Sequence, residues 1–216
     1  MSGEGRYTAE SGGFVGALTR FFDLIFAGFL WLLCSLPLIS VGPASTALYY
    51  TVAKVIRRER GRLTASFFSR FKADFKLSLL LWLICLAYIA VGLADIWAMS
   101  LMGIAQGGVL YYVSRLYFLP ALMIVPWLFA YVSRFDTNVG GALKAGWYLA
   151  VKNLWRTAAL IVLTLGVAWI CWLIPLITPL LPGVCCLLQS LVIEPVLRAL
   201  TLSKGEDGNT DQWYNE

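Results

Sequence analysis

Histidine is absent from these 216 residues, and charged side chains make up only 13% of them. The first absence removes the commonest general base and the commonest metal ligand. The second excludes an ordinary soluble domain, whose composition carries roughly twice that share of charge. Also missing are a glycine-rich phosphate loop, paired carboxylates at helical spacing inside an apolar run, and a nucleophile beside a base. The chain is therefore expected to be non-enzymatic, with no cofactor and no metal. Its cysteines, Cys34, Cys85, Cys171, Cys185 and Cys186, all lie in apolar runs, where a thiol acts as a small hydrophobic group. The net charge of +5 is spread over loops, which excludes a nucleic-acid-binding face.

What is present is hydrocarbon. Apolar residues reach 60%, gathered into runs close to the ~20 residues that a membrane-crossing helix needs. The expected fold is all-α, a polytopic transmembrane helix bundle of about five spans with a basic amphipathic helix after the first. Residues 1–21 form a polar N-terminal segment, 22–202 a single transmembrane helical domain, and 203–216 a polar tail expected to be disordered. The start does not read as a cleaved leader, because its basic region is weak, Asp23 interrupts the first run and no small-residue cleavage site follows.

The spans are expected at 22–39, 77–97, 109–132, 157–176 and 184–200. Between the first two, Pro37, Gly42 and Pro43 punctuate the backbone, Gly42 permitting a sharp turn and Pro43 opening a new helix. That helix, 43–60, carries Leu48, Val52, Val55 and Ile56 on one side and ends in Lys54, Arg57, Arg58 and Arg60, which predicts an amphipathic helix in the interface or tucked under the bundle. Phe67, Phe68, Arg70, Phe71, Lys72, Phe75 and Lys76 then mix rings with cations, a composition suited to the headgroup layer. A further short helix is expected at 142–154, with Trp147, Leu149 and Val151 available for the interface. The basic loops fall on one side and the uncharged 98–108 loop on the other. By the positive-inside rule the N-terminus is outside and the C-terminus inside.

Charges within spans are costly and often functional. Asp95 and Arg115 lie near the outer ends of two neighbouring spans, where an ion pair tying a hairpin together outweighs a gate. Glu194 and Arg198 share a helix face at i and i+4, which favours an interfacial pair over a cavity-facing carboxylate.

The stretch L-W-L-L-C-S-L-P-L-I-S-V-G-P-A-S-T-A-L-Y-Y, followed by S-F-F-S-R-F-K-A-D-F-K, resembles the YesL-like family of bacterial integral membrane proteins, a domain of unknown function. Pro37, Gly42, Pro43, Ala47, Leu48, Tyr49, Phe68, Phe71, Lys72, Phe75 and Lys76 carry the match, and Ser40 stands where threonine is common. The resemblance implies a bacterial plasma membrane protein, of a family often encoded beside carbohydrate ABC importers. A sugar-permease coupling signature is incomplete here: the A-x-x-x-G step at Ala142 to Gly146 lacks its glutamate and its Leu-Pro.

The expected function is that of an accessory subunit of carbohydrate (oligosaccharide) ABC import. It would touch membrane lipids and ABC transporter permease subunits through Arg57, Arg58, Arg70, Lys72, Lys76, Lys144, Trp147 and Lys152. The alternative is an independent small-solute transporter or channel with Asp95, Gln106, Arg115 and Glu194 along a polar path.

Overall fold

The computed structural model describes residues 14–56, 62–102, 108–174 and 178–204, and every regular element among them is a helix. In chain order these are α1 (Phe14–Ser35), a 3-10 turn at Leu38–Ser40, α2 (Val41–Thr51) and a π-helical turn at Val52–Ile56. There follow α3 (Leu63–Ala73), α4 (Phe75–Leu101), α5 (Val109–Leu116), α6 (Leu119–Val132), α7 (Val139–Lys152), α8 (Leu154–Leu173) and α9 (Leu181–Lys204). Five stretches are long and apolar enough to cross a membrane: Leu18–Ser35, Phe75–Leu101, Tyr112–Val132, Leu154–Leu173 and Leu181–Leu200. Their outward sides expose large apolar groups such as Phe22, Val91, Trp97, Val162 and Trp172, as a bilayer solvent allows.

Of the two placements expected for the helix at 43–60, in the interface or tucked under the bundle, the described part lies inside the bundle, and its basic end at 57–60 falls outside the described residues. There α2 is the most enclosed helix of the bundle, packed by α1, α3, α4, α6 and α9. Gly42, Pro43, Ala44, Thr46, Ala47, Leu48, Tyr49 and Thr51 are all buried. Its 11 residues rise about 16 Å, roughly half the hydrocarbon core, so it does not cross the membrane by itself. Small side chains let neighbouring backbones approach, and the hydroxyls fold onto their own helix: Ser45 donates to the Val41 carbonyl at 2.7 Å and Thr51 to that of Ala47 at 2.8 Å. Thr46 also shares a buried 2.9 Å hydrogen bond with Ser78 of α4.

The proline-glycine punctuation works differently from a simple turn. Pro37 begins the 3-10 turn, and the Ser40 hydroxyl donates to the carbonyls of Cys34 and Pro37, covering groups that the end of α1 leaves open. Trp82 of α4 donates its indole N–H to the Leu38 carbonyl at 2.7 Å. Pro43 sits in the first turn of α2, where its missing N–H costs nothing. Gly42 is helical; a Cβ there would lie 2.6 Å from both the Ser78 carbonyl oxygen and the Trp82 Cβ, so glycine is what lets α2 touch α4.

The third span, expected to be broken at Pro120 and Pro126, breaks at the first alone, and α6 runs on through Pro126. The break falls between α5 and α6, with Pro120 in the first turn of α6. Tyr88 of α4 occupies the break, donating its hydroxyl to the Tyr117 carbonyl at 2.6 Å while its ring stacks on that of Tyr117 at 4.2 Å. After α6 the chain turns back, and α7 packs along it with Gly146 against Ile124 and Leu128. Asn138 caps α7, accepting from the Gly141 N–H at 2.9 Å. The last span runs unbroken through Pro195 for 24 residues. It meets α1 at two glycines, where a Cβ on Gly28 would collide with the Pro179 carbonyl and one on Gly183 with the Leu24 carbonyl.

Gly42→Leu forces side-chain bulk between α2 and α4 and is expected to cost at least the ~1–3 kcal/mol typical of overpacking. Gly140→Ala, with open space at the Cβ position, is the matched control. Thermal unfolding of the purified protein in detergent checks this. Equal midpoints for the two variants would remove the close-approach explanation.

Candidate functional site

Charge is concentrated at the end of the bundle where α3 meets the end of α6. The sequence requires it there: α6 finishes at Val132, leaving carbonyls without intrahelical partners. Arg70 of α3 supplies the donor, its Nη2 reaching the Ser133 carbonyl at 3.0 Å and that of Val132 at 3.4 Å. A cation at a helix C-terminus also meets the negative end of the helix dipole. Its Nε contacts Asp74 at 2.7 Å, and its guanidinium lies 5.2 Å from the Tyr50 ring centroid. Burial pushes the Asp74 carboxyl above its ordinary value despite the Arg70 charge beside it, and the Asp136 charge adds to the push.

The next residue along, Arg134, reaches Glu194 of α9. The two groups are 3.4 Å apart, with side chains only 2% and 4% exposed. Arg134 also lies 5.9 Å from the Phe135 ring centroid. A buried ion pair seldom adds net stability over an apolar pair of the same shape, but it fixes which helices meet, because losing one partner strands a charge. Here it joins the α6–α7 turn to the middle of α9.

The expected contact residues divide. Lys72, Lys76, Lys144, Trp147 and Lys152 are exposed, Trp147 by 48%. Tyr148 and Val151 are exposed beside them on α7, and Lys152 lies 5.3 Å from the Tyr148 ring centroid. Arg70 is turned inward to α6. Arg57 and Arg58 fall outside the described residues, as does Gln106. Asp95 and Arg115 are exposed on the packed helices α4 and α5, and Glu194 is buried far from them in the fold. The three described residues of the expected polar path, Asp95, Arg115 and Glu194, are therefore not gathered into one. Besides Arg198 one turn on, Glu194 has a partner that local spacing does not offer, Arg134, sixty residues upstream. Sequence reading missed Arg134 and Ser133, whose partners are distant in the chain, and also Asp74, although its i,i+4 spacing from Arg70 is a local signal that could have found it. Tyr49 and Pro43 are core residues of α2, and Pro37 is exposed at the break.

A cavity of about 380 Å³ lies among α1, α2, α6, α8 and α9, with Trp31, Ser45, Pro126, Cys185 and Gln189 in its wall. Its polar groups already serve one another. Trp31 donates its indole N–H to the Ser45 hydroxyl at 3.1 Å, and Gln189 donates to Thr164 at 3.0 Å. A second apolar cavity, about 340 Å³, shares Val125, Pro126 and Thr164 with the first. Such walls suit hydrocarbon rather than a hydrated solute. Among the described residues no cluster of His, Cys, Asp and Glu has the makings of a metal site.

Helix lengths, apolar surfaces and the charged end together define a multi-pass α-helical membrane protein. Residues 24–96 match the family described as a protein of unknown function, DUF624. No curated protein and no solved structure matches the chain. The matched segment holds the α1–α2 break, α2, α3 and most of α4, so what it shares with that family is the framework that seats α2.

Removing one partner of the Arg134–Glu194 pair, as Glu194→Leu or Arg134→Met, is expected to cost ~3–5 kcal/mol, and the double variant distinctly less than the sum. A double-mutant cycle on unfolding in detergent measures this. Additive losses would mean that the two groups do not sense each other.

Proposed function

We propose that the chain is a YesL-like, non-enzymatic accessory subunit of the bacterial plasma membrane that assists a carbohydrate ABC importer. Its basic end faces the cytoplasm, with the N-terminus outside and the C-terminus inside. It docks there on the permease subunits, bordered by membrane lipids. The observation that carries this reading is the exposed face of α7, where Lys144, Trp147, Tyr148, Val151 and Lys152 stand together on a helix whose other face is fixed to α6. Exposed aromatic groups among cations are what partner surfaces favour. The carbohydrate assignment rests on the family resemblance alone.

The alternative, an independent small-solute transporter or channel, has one observation in its favour, the pair of cavities beside Pro126. Their apolar walls and the engagement of Glu194 with Arg134 weigh against a path for hydrated solutes.

Crosslinking in the native membrane followed by purification tests the proposal. Stoichiometric recovery of ABC permease subunits is expected. Lys144→Glu together with Trp147→Ala should reduce that recovery about tenfold, a change of the size expected from losing an interface anchor. Recovery of the protein alone, from wild type and variant alike, would contradict the accessory role.

A further inference from the structure

A polar pocket of about 350 Å³ lies between α2 and α3, lined by Tyr50, Ala65, Ser66, Ser69, Arg70 and Ala73. It is separate from the apolar cavities beside Pro126. Residues 65, 66, 69, 70 and 73 fall on one face of α3, which sets two hydroxyls and a guanidinium side by side. The facing wall is the Tyr50 ring, shared by two cations: the Arg70 guanidinium carbon lies 5.2 Å from its centroid and the Lys54 Nζ 5.3 Å.

Donors outnumber the internal acceptors. Among the described residues Lys54 Nζ donates only to the Tyr50 hydroxyl, at 2.9 Å, which uses one of the three hydrogens of an ammonium. Arg70 spends Nε on Asp74 and Nη2 on the α6 carbonyls, and its Nη1 has no hydrogen-bond partner among the described residues. The Ser66 and Ser69 hydroxyls add two more donors on the same wall. Among the described residues the acids nearby are Asp74, which takes the Nε edge of Arg70, and Asp136, whose charge acts on Asp74. The pocket wall thus sets the Arg70 guanidinium beside two hydroxyl donors, with the Lys54 ammonium outside the lining but held on the Tyr50 ring that closes it, an arrangement suited to charge-assisted hydrogen bonds with a tetrahedral oxyanion.

Depth points the same way. Arg70 and Ala73 directly precede the span that begins at Phe75, which places the pocket at headgroup level. The exposed Lys72 and Lys76 would add long-range attraction for an anion at that surface. We propose that this pocket binds a phosphate group through Arg70, Ser66 and Ser69, with Lys54 adding its charge from beside the Tyr50 ring. Two sources present that chemistry, the headgroup of an anionic phospholipid and soluble phosphate.

The test uses the full chain. In one arm it is reconstituted in nanodiscs of phosphatidylcholine with or without phosphatidylglycerol, and native mass spectrometry reads the lipid retained. In the other, unfolding in lipid-free detergent is followed with and without inorganic phosphate. Preferential retention of one phosphatidylglycerol supports the proposal and assigns a lipid source. A raised unfolding midpoint with inorganic phosphate, without lipid preference, supports it and assigns a soluble source. In either case Lys54→Gln and Ser69→Asp should weaken binding about tenfold while helical content stays unchanged. Equal handling of the two lipids with no response to inorganic phosphate overturns the proposal. So does wild-type binding by both variants. The wild-type comparison decides even where a variant misfolds.

Discussion

Everything in this bundle depends on an interrupted backbone having its polar groups paired where water is scarce. Between α1 and α2 the helix stops for several residues, and every freed carbonyl at membrane depth would cost several kcal/mol if left bare. The Ser40 hydroxyl covers Cys34 and Pro37, and the Trp82 indole covers Leu38. With the break paired, the chain can turn inward instead of leaving the bundle, and α2 becomes the element on which α1, α3, α4, α6 and α9 converge. The α5–α6 break is handled in the same way by the Tyr88 hydroxyl. Both helix interruptions are thus sealed from α4, the longest helix described, which acts as the donor strip for its neighbours.

The charged end continues the same principle in a stronger form. The open carbonyls after α6 take Arg70, and the residue beyond them, Arg134, takes Glu194 from α9. These contacts join α3, α6 and α9 at one end and leave the lysines of α3 and α7 facing outward. Structural and surface cations are thereby separated on neighbouring turns of the same helices. The proposed docking face and phosphate pocket both lie where the framework is most tightly tied.

The membrane class, the helical fold and the approximate place of each span were legible, because an apolar run of about twenty residues has few other destinies. The role of α2 was not. Its row of Leu48, Val52, Val55 and Ile56 has the spacing of an amphipathic stripe, the cationic end at Lys54, Arg57, Arg58 and Arg60 read as its polar part, and the other sides carried no reading. Those sides are Gly42, Ala44, Thr46, Ala47, Thr51 and Ala53, whose small volume and self-bonded hydroxyls make them packing surfaces in a bundle. Residue size, rather than hydropathy, carried that signal. The motif residues Pro37, Gly42 and Pro43 were recognisable as a break, but the partner that makes Gly42 necessary, Trp82, lies forty residues away. Arg70 read as a headgroup cation for the same reason: the carbonyls that claim it belong to α6. Glu194 has a plausible partner one turn on at Arg198, and nothing local reveals that Arg134 reaches it as well.

Hydrogen exchange measured by mass spectrometry on the protein in nanodiscs tests the central placement of α2 most directly. Amides of residues 44–53 should exchange as slowly as those in the middle of α4. Exchange much faster than that, approaching the rate at the exposed ends of the helices, would place this segment on the membrane surface and contradict the account.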